Sequence, residues 1–299
     1  MKITGILVAY NPIESELISS VGRLSKQCDF VIICNNSDNG YTISESIFPS
    51  SSNYKTINFG KNVGIAKAQS VAMKWAFDND ADFIIQMDQD SILEPETIPS
   101  LLEKYKLMTS LGYNVGVIGP RHYDKFTKEV DTARLIKGKE IKGTNCEIVH
   151  ATISSASIIS KEAYAVAGPM DNGLFIDSVD WEYCWRLKSL GFVTIRVNNI
   201  LLGHQVGNGK KKIIGKIDAR VPSPIRHYYH TRNLFLLSKR NYVPLYWKVS
   251  NYIKLVLKLF LYPFIFKDGK LRFKYICKGI SHGIQGKYGH INSASKDYK

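Results

Sequence analysis

The chain has 299 residues, of which 44% are hydrophobic and 22% charged, a composition typical of a globular protein that excludes a largely disordered chain. The length allows one large α/β domain, or such a domain with an appendage. The net charge of +14 comes from the C-terminal third, since residues 1–204 hold 20 Lys and Arg against 23 Asp and Glu, whereas residues 205–299 hold 20 against 3. This asymmetry predicts a polyanionic partner, either nucleic acid or an anionic lipid surface.

The sequence carries no pattern typical of secretion, of a disulfide framework or of membrane crossing. Residues 1–12 hold a short apolar run that ends in Asn-Pro, without the cleavage site of a signal peptide. The five cysteines are scattered and lack C-x-x-C spacing, which favours a reducing compartment. No apolar run reaches about 20 residues, so we expect a cytoplasmic protein without a spanning helix.

The first elements in chain order are short runs rich in Ile and Val, which predict strands at residues 3–9, 30–34, 55–59, 83–87 and 115–119. Segments of helical period lie at residues 64–77 and 96–111. Because nearly continuous apolar strands alternate with helices, we predict a mostly parallel, Rossmann-like sheet flanked by helices. Ligands of such sheets bind beyond the carboxyl ends of the strands.

The later elements are less regular. Residues 127–149 are charged and predict a hairpin or a lid, and residues 203–221, with the run Gly-Asn-Gly-Lys-Lys-Lys, predict a flexible basic loop. The remaining predictions are strands at 151–160 and 192–197 and helices at 161–167, 180–190, 225–240 and 245–262.

Two carboxylates, Asp88 and Asp90, follow the fourth predicted strand. In a strand, residues two apart point the same way, so these carboxylates could share one divalent cation that also contacts substrate phosphates. The alternative is a turn that carries two solvated acids.

Three more carboxylates, Asp177, Asp180 and Glu182, lie at the start of a predicted helix, among Phe175 and Trp181. One of the acids could simply cap that helix. A carboxylate desolvated by aromatic side chains has a raised pKa, which suits a group that takes a proton from a hydroxyl.

Two motifs are less specific taken singly. His204 follows a predicted strand, where a histidine is more often structural than a metal ligand. Residues 227–233 (HYYHTRN) offer Arg232 for a phosphate and tyrosines for stacking, and the alternative is an ordinary amphipathic helix.

Taken in order, these motifs resemble those of family-2 glycosyltransferases with the GT-A fold, most closely the bacterial rhamnosyltransferases. The resemblance rests on residues 8–12 (VAYNP), 35–38 (NNSD), 62–66 (NVGIA), 87–91 (MDQDS), 174–186 and 229–233 (YHTRN), and on His204. It covers about residues 3–240. It implies an α/β GT-A domain at residues 1–240, followed by a basic helical membrane-association region at residues 241–299.

The resemblance also implies roles for individual residues. Tyr10, Asn11, Asn35 and Asp38 would line the nucleoside pocket, and Asn62 and Gly64 would lie near the nucleotide. Asp88, Asp90 and His204 would hold Mg²⁺ or Mn²⁺ on the donor diphosphate, which Arg232 would also contact. Asp180 would be the general base. Asn35 stands where many members carry aspartate. Val179 stands where many carry glutamate, which keeps Asp177 as the alternative base.

The reaction that the resemblance implies is an inverting displacement at the anomeric carbon of a dTDP- or UDP-sugar, with dTDP-rhamnose as the first choice. The expected acceptor is a hydroxyl of a polyprenyl-diphosphate-linked glycan or a polysaccharide in cell-surface glycan synthesis.

The C-terminal segment 247–266 mixes apolar and aromatic residues with Lys248, Lys254 and Lys258, and Pro263 interrupts it. We predict a helix that lies in an anionic membrane interface, on the inner face of the plasma membrane. The alternative is a core helix packed on the catalytic domain.

Two other functions are less consistent with the sequence. A sugar nucleotidyltransferase would carry a Gly-rich loop after the first strand, where this chain has Tyr10-Asn11-Pro12. A non-catalytic nucleic-acid-binding protein would leave the acidic clusters unexplained, and the basic third carries no recognised nucleic-acid fold signature, so we expect no nucleic-acid partner.

Overall fold

The structure is a computed structural model that describes residues 1–48, 53–124, 128–130, 138–204, 210–213, 217–220 and 222–296, with the backbone alone at 204, 210–213 and 217–220. The chain forms two compact units. The first comprises Met1–Met170 and Tyr183–Gln205, and the second comprises Asp171–Glu182 and Val206–Lys299. This division differs from the boundary expected at residue 240, because residues 171–182 and the helix before residue 240 group with the C-terminal helices.

The first unit is built on a nine-stranded sheet. Its strands are β1 (Ile3–Ala9), β2 (Phe30–Asn35), β3 (Tyr54–Asn58), β4 (Phe83–Asp88), β5 (Val115–Asp124), β6 (Lys139–Ile141), β7 (Cys146–Val149), β8 (Ser157–Ser160) and β9 (Val193–His204). Its helices are α1 (Glu14–Ser25), α2 (Ile65–Asp78), α3 (Thr97–Ser110) and α4 (Lys161–Ala167), and α5 (Val179–Ser189) begins in the second unit.

The strand order is β3-β2-β1-β4-β8-β5-β9-β7-β6. The pairs among β1 to β4 are parallel, as is β5 with β9, whereas β8 runs antiparallel between β4 and β5. The predicted α/β architecture is confirmed, because strands buried on both faces need the near-continuous apolar runs that the sequence shows.

Helices pack closely on the parallel strands through small residues. The buried face of α2 contains Ala66, Ala68, Ala72 and Ala76, whose short side chains allow a close approach to the sheet. On the β1 side, a Cβ added to Gly5 would lie 2.7 Å from the Leu24 side chain of α1. Any larger residue at position 5 would thus force the Leu24 side chain to shift.

Several boundaries differ from the sequence predictions. The strand expected from residue 151 starts only at Ser157, since Ala156 has a left-handed φ of 58° that no strand continues through. The α3 helix begins at Thr97, after Glu96 with a φ of 61°. Residues 139–149 contain an antiparallel β6–β7 hairpin, while 125–127 and 131–137 lie outside the described residues.

The second unit contains an antiparallel hairpin and three long helices. They are β10 (Lys210–Ile213), β11 (Ile217–Arg220), α6 (Pro224–Ser238), α7 (Leu245–Ile265) and α8 (Gly269–Ile284). The hairpin replaces part of the basic loop predicted at 203–221, of which 205–209, 214–216 and 221 lie outside the described residues. Pro263 lies in the last turn of α7 and does not break it.

The α6 helix packs on both other helices. A Cβ at Gly279 of α8 would lie 2.7 Å from the Tyr228 carbonyl oxygen, so glycine permits the close α6–α8 contact. On α7, the His227–Tyr262 and Phe235–Tyr252 ring centroids are 5.3 and 5.5 Å apart. Among the described residues, no helix combines the length and hydropathy needed to cross a membrane.

Candidate functional site

The predicted donor residues meet at one edge of the first unit's sheet. Parallel pairing sets Ala9 beside Asn35 and Val8 beside Asp88, so the segments that follow β1, β2 and β4 emerge next to one another. The β2–β3 register sets Asn35 beside Asn58 in the same way. This is the carboxyl edge at which sheets of this kind bind ligands.

Asp38 joins two of the loops at this edge. Its Oδ2 accepts a hydrogen bond from the Tyr10 hydroxyl at 3.0 Å, and its Oδ1 accepts one from the Asn62 backbone N–H at 3.0 Å. Burial and the neighbouring Asp38 raise the pKa of Tyr10, which keeps its hydroxyl protonated. Tyr10 is 45% exposed, so a large part of this residue is accessible to solvent.

The Asn35 side chain is fully buried and holds the loop after β2. Its Nδ2 donates to the Tyr41 carbonyl oxygen at 2.6 Å and to Asn58 Oδ1 at 2.7 Å. Its Oδ1 accepts from the Ser37 N–H, and the Ser37 hydroxyl accepts from the Asn11 N–H at 2.8 Å. Asn35 therefore supports the loop after β2, and its buried side chain is not in a position to contact a ligand directly.

Asn36 is an organising residue that the sequence analysis gave no role. Its Oδ1 accepts from the Val63 N–H at 2.7 Å and its Nδ2 donates to Asn62 Oδ1 at 3.1 Å. Asn62 Oδ1 also accepts from the Gly64 N–H, and Gly64 has a φ of 86° that favours glycine. The adjacent Asn35-Asn36 pair was the sequence feature that could have indicated this role of Asn36.

Gln89 ties the ends of β1 and β4 together. Its Oε1 accepts from the Tyr10 N–H at 2.7 Å and its Nε2 donates to the Tyr10 carbonyl oxygen at 3.2 Å. The β4 strand ends at Asp88, and Gln89 and Asp90 form a turn. Asp90 is therefore placed by a turn, and the strand alternation expected to align Asp88 with Asp90 is not what positions them.

The carboxylates of Asp88 and Asp90 are oxygen ligands of the kind that a hard divalent cation takes. The described part of the chain brings together no group of three or more His, Cys, Asp or Glu side chains that could hold a metal. A site made of Asp88 and Asp90 would thus supply carboxylate oxygens and leave other positions to phosphate and water, as Mg²⁺ prefers. His204 ends β9, and its side chain lies outside the described residues, so its metal role stays a prediction.

A polar cavity of about 280 Å³ lies beside Asp90 in the first unit. The α1 side contributes hydroxyl and charged groups, and the turn after β4 contributes the rest. The lining residues are Ser15, Glu16, Ser19, Ser20, Arg23, Gln89, Asp90, Ser91 and Ile92. The sequence analysis singled out neither α1 nor this cavity.

The predicted base lies in the second unit, after a segment with an unusual backbone. Phe175, Asp177 and Ser178 all have left-handed φ angles, of 65°, 70° and 64°. Each such non-glycine residue costs about 1–3 kcal/mol and persists only where its surroundings impose the conformation. The α5 helix begins directly afterwards, at Val179, and carries Asp180 in its first turn.

Asn233 holds this segment in place. Its Nδ2 donates to the carbonyl oxygens of Leu174, Ile176 and Asp177, at 3.1, 2.8 and 2.9 Å. The donor atoms come from α6, more than fifty residues away in sequence. A distant buried amide therefore imposes the backbone that precedes Asp180.

Arg232 belongs to the same buried arrangement. Its guanidinium donates to the carbonyl oxygens of Leu174, Gly173 and Gly289, and is fully buried. It also lies 5.1 Å from the ring centroid of Tyr229. This burial favours a structural role over the expected contact with a donor diphosphate.

The three acids of this region have different partners. Asp177 forms an ion pair with Arg226. Glu182 is fully buried, accepts from the Tyr242 hydroxyl at 2.6 Å and pairs with Arg240 at 3.1 Å. Asp180 Oδ1 accepts from the Trp181 backbone N–H at 2.9 Å.

The aromatic residues of this segment differ in exposure. Trp181 is 38% exposed. Phe175 stacks on Tyr229 at 4.9 Å, within the small core of the second unit.

Comparisons with known proteins agree with this geometry. Residues 5–166 match the sequence profile of "Glycosyl transferase family 2". The chain is 30% identical over 296 residues to dTDP-rhamnosyl transferase RfbF of Shigella flexneri, and the match covers 95% of each chain.

Two solved structures share the fold. They are GalNAc-T7 with UDP, GalNAc and Mn²⁺, and S. aureus TarS, each with a TM-score of 0.52 and 13% identity. The matches cover 96% and 87% of this chain, and the chain spans 58% and 43% of those two longer chains. At that identity the likeness shows the GT-A fold and nothing finer.

Proposed function

The chain belongs to glycosyl transferase family 2 and is a glycosyltransferase, and on that premise we propose that it transfers L-rhamnose from dTDP-rhamnose. The observation that carries the donor assignment is the 30% identity to a dTDP-rhamnosyl transferase along 95% of both chains. The comparisons favour this activity over nucleotidyl transfer and over nucleic-acid binding without catalysis.

The proposed nucleotide pocket lies at the carboxyl edge of β1 and β2. Tyr10 offers a partly exposed ring on which the thymine of the nucleotide can stack. Asp38 fixes the orientation of that ring by accepting a hydrogen bond from the Tyr10 hydroxyl. Asn62 and Gly64 are held by Asn36 and Asp38, so that their backbone borders the same pocket.

Asp88 and Asp90 are the residues that would hold Mg²⁺ or Mn²⁺ in this proposal. When bound, the cation supplies neutralisation of the charge that develops on the departing nucleoside diphosphate. The carboxylate oxygens of these two residues suit such a hard ion.

Asp180 is the proposed general base. It lies in the first turn of α5, directly after the left-handed segment that Asn233 holds, and it matches the position of the base in the family motif that residues 174–186 resemble. It takes the acceptor hydroxyl proton while the oxygen bonds to the anomeric carbon. The bond from that carbon to the diphosphate breaks, the nucleoside diphosphate leaves, and the anomeric configuration inverts.

The exposed side of α7 supports a membrane surface as the place of reaction. Its large exposed apolar residues recur at helical spacing, and they are Leu245, Val249, Ile253, Val256, Leu257, Phe260, Leu261 and Phe264. Its buried residues are Trp247, Asn251 and Leu255. An apolar stripe beside many lysines fits an anionic bilayer interface better than a core helix does. We place the enzyme on the cytoplasmic face of the membrane, acting on a lipid-linked or polysaccharide acceptor.

Thermal unfolding with and without Mn²⁺ tests the donor assignment, because a ligand that binds the native state raises the melting temperature. We expect dTDP and dTDP-rhamnose to raise it more than UDP and UDP-sugars do. The same panel on Asp90→Asn should show a smaller rise, and turnover should be largely lost in this variant and in EDTA. Full activity in EDTA would exclude the metal role, and no shift with any nucleotide sugar would contradict the donor assignment.

A further inference from the structure

Four basic residues of the second unit lie together where α6 packs on α7. The ring contacts His227–Tyr262 and Phe235–Tyr252 show that the two helices run antiparallel. At this register, His230 comes opposite Lys258. The four residues, here called the α6–α7 cationic cluster, are Arg226, His230, Lys254 and Lys258.

The spacing within each helix reinforces this placement. Arg226 and His230 are four residues apart on α6, and Lys254 and Lys258 are four apart on α7. Residues at that spacing share one face of a helix, with their Cβ atoms about 6 Å apart. At this register His230 and Lys258 are level with each other, while Arg226 is level with Tyr262 and Lys254 with Leu234, one turn to either side.

Electrostatic effects show that the cluster members interact. Burial lowers the pKa of His230 to about 4, and Lys258, Lys254 and Arg226 lower it as well, while Asp177 acts in the opposite direction. Burial also lowers the pKa of Lys258, and Lys254 adds to that effect. His230 is thus neutral at pH 7, and the lysines repel each other.

Asp177 opposes this charge and is paired with Arg226. Asp268, which lies near His227, is bound by Arg272 of α8. Of the three cations of the cluster, Arg226 and Lys254 are exposed and Lys258 is half-buried. Like charges at this spacing repel one another, and a bound anion would relieve that repulsion.

The surroundings indicate what kind of anion this is. The lysines of the cluster share α7 with exposed Ile253, Leu257 and Leu261. An anion with a long apolar chain would satisfy both features, because its head group meets the cations while its chain meets the apolar stripe. A diphosphate diester carries one negative charge on each phosphate, so it offers two anionic groups to Lys254 and Lys258, which lie one turn apart on α7.

We propose that the α6–α7 cationic cluster binds the diphosphate group of a polyprenyl-diphosphate-linked acceptor. The inference rests on the proposed transferase function and names the part of the acceptor that the second unit recognises. Asp177 lies three residues before Asp180 and its carbonyl oxygen is held by Asn233. The diphosphate would therefore bind next to the segment that carries the base.

Vesicle flotation with the full chain tests the proposal. One set of phosphatidylcholine vesicles carries a polyprenyl diphosphate, and the other carries phosphatidylglycerol at the same total charge. Saturating dTDP and EDTA are present throughout, so that the donor site cannot hold the diphosphate. Lys254→Gln/Lys258→Gln is compared with Lys270→Gln/Lys274→Gln, which removes two charges from exposed positions of α8.

We expect the α7 variant to bind the polyprenyl-diphosphate vesicles on the order of 10-fold more weakly than wild type, since charge-assisted hydrogen bonds are lost. The α8 variant should retain most of that affinity. On phosphatidylglycerol vesicles the two variants should weaken alike, because screened surface charge governs that binding.

Equal weakening of both variants on both kinds of vesicle would overturn the proposal and leave only a general anionic surface. So would unchanged binding of the α7 variant. Thermal stabilisation by dTDP and Mn²⁺, measured on the same proteins, distinguishes a failure of the proposed transferase function from a failure of the proposed diphosphate site. If wild type is not stabilised by dTDP, the proposed transferase function fails. If it is stabilised while the vesicle result is negative, this inference alone fails.

The α7 substitutions should leave the fold intact. The charged form of Lys258 is disfavoured by burial and by Lys254, so removal of both charges should not lower the melting temperature. In turnover assays, the variant should show a raised KM for the lipid-linked acceptor with an unchanged affinity for dTDP. A fall in kcat at an unchanged acceptor KM would contradict a binding role.

Discussion

Two regions proposed to take part in the reaction are built in different ways. One is the edge of the first unit's sheet where β1, β2 and β4 end, here called the donor edge. The other is residues 174–180 of the second unit, which lead to the proposed general base and are here called the base-bearing segment. At the donor edge, sheet register sets the positions, and short side chains such as those of Asp38, Asn36 and Gln89 join neighbouring loops. In the base-bearing segment, three left-handed residues precede α5 and are held by Asn233 from a distant helix.

The difference concerns how much each region depends on long-range packing. The donor edge follows from regular elements, so loss of one side-chain bond there should weaken a ligand contact and little else. The base-bearing segment holds backbone conformations that cost free energy locally. Loss of its support should therefore change both stability and the placement of Asp180.

Substitution of the base gives the largest expected effect. We expect Asp180→Asn to lower kcat at least ~100-fold, the lower end of what a general base contributes. The affinity for dTDP should barely change, since the base contacts the acceptor. Steady-state kinetics together with dTDP binding measure the two quantities separately.

Asp177→Asn is the matched variant for that experiment. Asp177 is paired with Arg226, so its loss should mainly reduce stability, seen as a lower denaturant midpoint. A folded Asp177→Asn without turnover beside an active Asp180→Asn would show that Asp177 is the base. Normal turnover in both variants would contradict the base-assisted mechanism.

Substitution of Asn233 tests the support of the base-bearing segment. Asn233→Ala removes the amide that donates to the Ile176 and Asp177 carbonyl oxygens and one of the two donors to that of Leu174, and we expect a loss of about 2–4 kcal/mol in the free energy of unfolding. Asn233→Asp keeps an acceptor for Arg232 but cannot donate to the carbonyl oxygens of Leu174, Ile176 and Asp177. We expect kcat to fall on the order of 10-fold in Asn233→Asp, at unchanged dTDP affinity, because the base is displaced.

Asn251→Ala is the control for this effect. Asn251 is also buried, and its Nδ2 donates to the Trp247 carbonyl oxygen within the same helix, at 2.8 Å. Its removal should lower stability without changing kcat. A folded Asn233→Asp with the kcat and the pH profile of wild type would exclude a role of the Asn233 amide in positioning Asp180.

Sequence periodicity was sufficient for the central strands of the sheet. Residues 83–87 could be recognised as a buried strand because both faces of β4 are covered, which leaves a continuous apolar run. The parallel register then brings Tyr10 and Asp88 to one edge whatever the loops do. Periodicity did not show that β4 ends at Asp88, since a turn and a strand end can carry the same residues.

The role of the motif at residues 227–233 could not be derived from its composition. Arg232 has the charge to bind a phosphate, but its partners are the carbonyl oxygens of Gly173 and Leu174, far away in sequence. The strand expected from residue 151 failed for a local reason, the left-handed Ala156, which residue type does not reveal. Helix α8 was missed because its Gly279 and Gly283 lower helix propensity and are required for packing on α6.

The smallest expected effect concerns the donor edge. Tyr10→Phe removes the hydrogen bond to Asp38 and keeps the ring, so the affinity for dTDP should fall about 2- to 10-fold, in line with one hydrogen bond of about 0.5–1.5 kcal/mol. Tyr10→Ala also removes the stacking surface and should weaken binding further, with kcat at saturating donor little changed in either variant. Titration calorimetry with dTDP measures both.

Because Asp38 still accepts from the Asn62 N–H in Tyr10→Phe, the loop remains joined and stability should be unaffected. Wild-type dTDP affinity in Tyr10→Ala would show that the thymine ring of dTDP binds elsewhere along this edge. A lower melting temperature in Tyr10→Phe would show that the stability of the donor edge depends on its side-chain hydrogen bonds, as that of the base-bearing segment does.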